Sequence, residues 1–169
     1  KVLSEFKKNG ACIANSAKDL SMNVDLIITC LPSPNVCSEV MESNNGVIKG
    51  IKKNTIWLEM STTDESEVRR LGKLIIEKGS VPMEAPVSGG CHRALSGNIS
   101  IFVGGSRLGF KRIFPILSIM GKDILYSGDL GSASILKVIT NYLATSNLAS
   151  LGEALIVAKM SKIDLKTVF

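Results

Sequence analysis

The amino-acid sequence predicts a doubly wound α/β fold with a mostly parallel sheet, and three observations carry that prediction. Short apolar runs at residues 25–30, 55–59 and 80–83 alternate with helical patterns. The third run leads through Pro86 into Ser88-Gly89-Gly90, a turn of small residues just beyond a strand, where α/β sheets place ligands. Residues 132–160 then hold no proline and are nearly continuously apolar, so a long helix closes the α/β part.

The elements follow in order. Residues 1–9 read as the end of a helix closed by Asn9-Gly10. A short strand is expected at 11–14 and a helical turn at 16–20. The run 25–30 is β-branched and apolar throughout, as in a strand buried on both faces. Pro32 and Pro34 forbid its continuation and make a rigid loop before a helix at 35–41. After the strand at 55–59, Ser61-Thr62-Thr63-Asp64 is expected to cap a helix that ends at Gly79, with Asp64, Glu65 and Glu67 in its first turn. The strand ending at Glu84 is followed by the glycine turn, a short helical or turn segment, and a β-type run at 98–103 that stops at Gly104-Gly105. A helix at 110–120 is expected to kink at Pro115, and a last strand occupies 123–126. The long helix from 132 is apolar on several faces and is expected to be buried between layers or domains. The final residues, to Phe169, read as the start of another helix. The domain division expected is 1–130 for the α/β part and 131–169 for the start of a helical domain.

The chain has 169 residues, 45% of them hydrophobic and 21% charged, an ordinary globular composition. No run approaches the roughly 18 apolar residues of a membrane span. The net charge of +5 raises a nucleic-acid partner, but the basic residues are scattered, and no aromatic residues interleave with them to stack bases. Four cysteines lack paired spacing, which points to a reducing, cytoplasmic setting. The one histidine, His92, has no ligand cluster around it, so no metal site is expected.

Two places carry candidate chemistry. Gly89 and Gly90 let a ligand approach the main chain closely, and the Ser88 hydroxyl adds a donor for an anion. The same three residues can equally make a tight turn and no more. Lys137 stands early in the long helix among Ile135, Leu136, Val138 and Ile139, with Asn141 one turn further on the same face. A buried amine has a lowered pKa and serves as an acid or base near neutrality. The alternative is a lysine that snorkels to solvent. His92 is a second candidate base, and Arg93 either meets an acidic group or is simply solvated.

Ala85-Pro86-Val87-Ser88-Gly89-Gly90, with Ala94, Gly97 and Gly104-Gly105, resembles the substrate signature of the β-hydroxyacid dehydrogenases, the superfamily of 3-hydroxyisobutyrate and 6-phosphogluconate dehydrogenases. Gly128-x-x-Gly131 followed by Lys137 and Asn141 resembles that family's catalytic-lysine motif. The resemblance implies a Rossmann-type domain and NAD or NADP as cofactor. It implies Lys137 as general acid/base in hydride transfer to or from a small hydroxyacid or its semialdehyde. Ser88, Gly89, Gly90 and Asn141 would bind substrate. Leu31-Pro32 resembles the loop whose backbone lies against the cofactor, and Ser61-Thr62 the pair near the nicotinamide ribose; a rigid loop and a helix cap are the structural readings of the same residues. Thr140 stands where the family often has Asn, and Glu84 where it commonly has Asp. A homo-oligomer is implied at full length. The turn Cys91-His92-Arg93-Ala94 and the lack of a further phosphate-binding cluster speak against 6-phosphogluconate itself as substrate.

No G-x-G-x-x-G follows a strand in this sequence, although the family opens with that loop and two further strands. The chain is therefore expected to be an internal piece of a longer dehydrogenase, and residues 11–14 would lack strand neighbours. A non-catalytic protein that keeps the fold for assembly is the rival class. The retained Lys137 argues for the enzyme.

Overall fold

The computed structural model describes residues 2–168; Lys1 and Phe169, at the ends of the expected first and last helices, lie outside that range. Helix α1 (Val2–Lys8) and helix α2 (Ala17–Ser21) precede the first strand, β1 (Leu26–Thr29). Helix α3 (Pro34–Glu42) and a 3-10 turn (Val47–Lys49) lead to β2 (Ile56–Glu59), and α4 (Glu65–Glu77) leads to β3 (Val81–Glu84). These three strands pair in parallel, β1 with β2 and β2 with β3. Two-residue β4 (Val87–Ser88), α5 (Gly90–Leu95) and β5 (Ile99–Gly105) follow, then α6 (Arg107–Met120), β6 (Gly121–Gly128), α7 (Ser132–Met160) and α8 (Leu165–Val168).

The sheet is Rossmann-like but mixed. β5 runs antiparallel to both β3 and β4, while β6 runs parallel to β5. A parallel neighbour for β3 would need a full crossover. The chain between β3 and β5 holds only β4 and the six-residue α5, so it doubles back instead.

Alternation along each strand splits the interior into two cores. Leu58, Met83, Ile101 and Val103 face Ile113 and Leu117 of α6. Ile27 and Trp57 face the other way, against Cys37 and Met41 of α3 and Leu71 and Ile75 of α4. Helices thus cover both faces, as the sequence pattern requires.

Four local expectations change. Residues 11–14 form no strand, because no described strand lies beside them to receive their hydrogen bonds. The cap of α4 narrows to Asp64, whose side chain makes no capping hydrogen bond. Helix α6 continues through Pro115 as one element. Helix α7 is not enclosed: Ile139, Tyr142, Leu143 and Leu148 are exposed, and its buried residues are confined to Ala133, Ser134, Lys137 and Ala158.

Candidate functional site

The ends of β2 and β3 each carry a buried carboxylate, and these two groups organise the loops around them. Glu59 and Glu84 are register partners on neighbouring strands, and each is about 1% exposed or less. Buried carboxylates require hydrogen bonds, and both have them.

Glu59 gathers the β1 side. Its Oε2 accepts from the Thr29 hydroxyl at 2.7 Å and the Cys37 thiol at 2.9 Å, and its Oε1 accepts from the Ser61 backbone N–H at 2.6 Å. Thr29 in turn accepts from Trp57 Nε1 at 2.9 Å. Burial first, and the bond to Glu59 second, push the Cys37 thiol far above its ordinary pKa. The Ser61 hydroxyl then accepts from the Leu31 N–H at 2.7 Å. The two loops read from the sequence as cofactor contacts, Leu31-Pro32 and Ser61-Thr62, are therefore latched together. Pro32 and Thr62 are exposed on this latch, and Thr63 Oγ1, beside them, is buried without a partner among the described residues.

Glu84 holds the start of α7. Its carboxylate accepts from the backbone N–H groups of Gly131 (2.6 Å), Ala133 (2.8 Å) and Ser134 (3.1 Å), and from the Ser134 hydroxyl. A helix begins with unsatisfied N–H groups and a partial positive charge, and this carboxylate answers both. Gly104, the register partner of Glu84, leaves room for it: a Cβ there would collide with Glu84 Oε1. Gly131 takes φ +98°, which favours glycine at the N-cap.

The capping sets where Lys137 lies. Ala133, Lys137 and Asn141 are successive i+4 positions on one stripe of the helix. Ala133 is fully buried, Lys137 is 8% exposed and Asn141 is exposed, so the stripe emerges from the protein along its length. Burial lowers the Lys137 pKa from its ordinary value, and among the described residues no carboxylate pairs with the amine. Thr140 donates its hydroxyl to the Lys137 carbonyl at 2.9 Å, a bond within the helix.

The Ser88 loop faces the same side of the sheet as α7. Ser88 pairs with Ser100, and Ser100, Phe102 and Gly104 point to one face of β5. Gly104 opposes Glu84 on that face, where α7 begins, while Val87 packs into the α6 core. Gly89 and Gly90 are exposed with φ of +133° and +78°, left-handed geometries that leave their main chain open. A separate cleft of about 180 Å³ lies between Asp64 and Glu65 at the start of α4 and Ser134, Ile135, Val138 and Ile139 of α7. The loop carrying Ser61 and the helix carrying Lys137 thus border one cleft. Among the described residues no hydrogen bond joins Lys137 to Ser88 or to Asn141. His92, the second candidate base, is exposed on α5.

The sequence reading missed the roles of Glu59, Glu84 and Thr63. A carboxylate ending a buried apolar strand was the available signal for the first two.

Residues 1–128 match the family model described as the NAD binding domain of 6-phosphogluconate dehydrogenase. The chain belongs to that family, and its cofactor class is a nicotinamide dinucleotide, NAD or NADP. It is 37% identical over 147 residues to 2-(hydroxymethyl)glutarate dehydrogenase of Eubacterium barkeri, covering 87% of this chain and 49% of that protein. It is also 37% identical over 165 residues to mitochondrial 3-hydroxyisobutyrate dehydrogenase of Rattus norvegicus, covering 98% and 49%. The chain spans about half the length of these relatives. A solved 3-hydroxyisobutyrate dehydrogenase from Mycobacterium tuberculosis shares the fold with a TM-score of 0.91 at 24% identity, over 98% of this chain and 56% of that one. Among the described residues no helix is long and apolar enough to cross a membrane, and no group of three or more metal-ligating side chains occurs.

Proposed function

We infer that this chain is the catalytic-lysine portion of an NAD(P)-dependent dehydrogenase that interconverts a small β-hydroxyacid and its semialdehyde. The single observation that carries the reading is the buried, unpaired Lys137 on the same sheet face as Ser88. The family match and the two named relatives support it.

Leu31, Pro32, Ser61 and Thr62 would hold the cofactor. The residues fit such a group: the latch offers exposed loop backbone, the Thr62 hydroxyl and the orphaned Thr63 hydroxyl, all suited to a ribose edge. A bound nicotinamide would accept the hydride released from the carbinol carbon. Ser88 and the open main chain of Gly89 and Gly90 hold the substrate carboxylate. Asn141 binds near the hydroxyl. Neutral Lys137 takes the hydroxyl proton as the carbonyl forms, and the lysinium returns it in the reverse direction. Residues 131–169 would then begin a helical second domain of a homo-oligomeric enzyme, in keeping with the exposed apolar side chains of α7.

The test is steady-state kinetics of Lys137 variants in the intact enzyme. Lys137→Ala should lower kcat by about two to four orders of magnitude with a smaller change in KM. Lys137→Arg should not recover it, because a guanidinium stays protonated. A folded Arg variant with near wild-type kcat would remove Lys137 from the chemistry.

A further inference from the structure

The polar cluster at the start of β6 takes no part in the chemistry above. A cavity of about 450 Å³ is lined there by His92, Arg93, Ser96, Asn98, Lys122 and Asp123. Successive strand residues point to opposite faces, yet Lys122 and Asp123 both line it. The reason is a bulge: the pairing steps from Ile99↔Gly121 to Ser100↔Asp123 and leaves Lys122 without a partner on β5. Such bulges re-aim side chains beside active sites.

The cavity adjoins the Ser88 turn in two ways. Ser88, Ser100 and Asp123 are register partners across three strands, so their side chains share a face and span about 10 Å, two strand spacings. Arg93 lies along the turn itself: a Cβ on Gly89 would sit 2.8 Å from Arg93 Cδ. Among the described residues neither Arg93 nor Lys122 forms an ion pair. The one carboxylate in the lining, Asp123, accepts a long hydrogen bond from Ser100 at 3.5 Å. The lining therefore carries two fixed positive charges against one negative.

We propose that Arg93, with Lys122 behind it, reads a second carboxylate on the substrate, so that the enzyme prefers hydroxyacids with two acid groups. The inference rests on the hydroxyacid reading above. With the first carboxylate on Ser88, Gly89 and Gly90 and the carbinol at Lys137, the arm on the substrate's α-carbon is the part free to reach Arg93. A guanidinium takes a carboxylate through two parallel N–H donors. An apolar arm leaves both cations unanswered, and an amino arm meets them as like charges.

The experiment compares 3-hydroxyisobutyrate with 2-(hydroxymethyl)glutarate in the intact enzyme. The two acids share the hydroxymethyl group and the α-carboxylate; one carries a methyl arm and the other a carboxyethyl arm. The wild type should favour the diacid by about tenfold or more in kcat/KM. Arg93→Gln should raise the diacid KM by about 10–100-fold, the range of one charge-assisted contact, and move the monoacid far less. Lys122→Gln should produce a smaller loss of the same kind. Equal losses for both acids would overturn the proposal and place Arg93 on the shared carboxylate. No loss for either, or a wild type without preference for the diacid, would overturn it as well while leaving the hydroxyacid reading intact. A wild type that oxidises neither acid would overturn that reading and this inference together.

Discussion

Glu59 and Glu84 sit side by side at the ends of adjacent parallel strands, equally buried, and they do different work. Two of the three donors on Glu59 are a hydroxyl and a thiol, which can rotate to new partners. Three of the four donors on Glu84 are backbone N–H groups, which cannot. Glu59 closes a latch between two loops, whereas Glu84 fixes the start and direction of a 29-residue helix. A buried carboxylate that holds rotatable groups tunes local geometry; one that holds main chain sets the placement of everything downstream.

Glu84→Gln offers the larger break. An amide replaces one acceptor oxygen with a donor, facing N–H groups that have nowhere to turn. Unfolding by urea should show a loss of about 2–3 kcal/mol, that of one or two stranded buried donors. The kcat should fall with it by about tenfold or more, because Lys137 lies one turn beyond the cap. Full stability with full kcat would show that the cap does not position the lysine. Glu59→Gln should be milder, about 1–2 kcal/mol, because Thr29 and Cys37 can reorient. Its functional effect should appear in the dissociation constant of NADH or NADPH and leave kcat nearly unchanged. A kcat loss matching that of Glu84→Gln would erase the distinction between the two carboxylates.

The smallest effect tests the cost of burying Lys137 itself. Burial lowers its pKa below the ordinary 10.5, so the charged amine opposes folding at neutral pH. That penalty is full below the folded-state pKa and gone above 10.5, where the amine is neutral in both states. Lys137→Met should therefore raise Tm near pH 7, by roughly 2–4 °C for each kcal/mol relieved. The gain should shrink as pH rises toward 10.5. A gain that stays level from neutral to alkaline pH would show that the amine is not desolvated.

The sequence made part of this legible. Residues 25–30, 55–59 and 80–83 read as strands because their apolar runs are local signals. Residues 11–14 have the composition of a strand but, as their expected lack of neighbours implies, form none: a strand exists only with a neighbour, and none of the described strands lies there. The reversal at β5 was hidden because strand direction depends on the path of the intervening chain. Lys137 was visible as a charge inside an apolar helix, but its burial depends on a cap supplied by Glu84, some fifty residues earlier. The same distance hid the latch, since Ser61 meets Leu31 across two strands.

The Glu59 cluster also sorts the cysteines by reactivity. Cys12, Cys30 and Cys91 are exposed, and an electrophile or oxidant meets them directly. Cys37 is buried, its thiol donates to Glu59, and its pKa is pushed far up, so almost no thiolate exists while the cluster is closed. Attack at Cys37 must wait for α3 to lift from β2. A thiol modified during such an opening no longer fits beneath the helix, so the cluster cannot reclose and Glu59 loses one of its three donors. Chemical damage at this one cysteine would thereby turn a passing local opening into a lasting one.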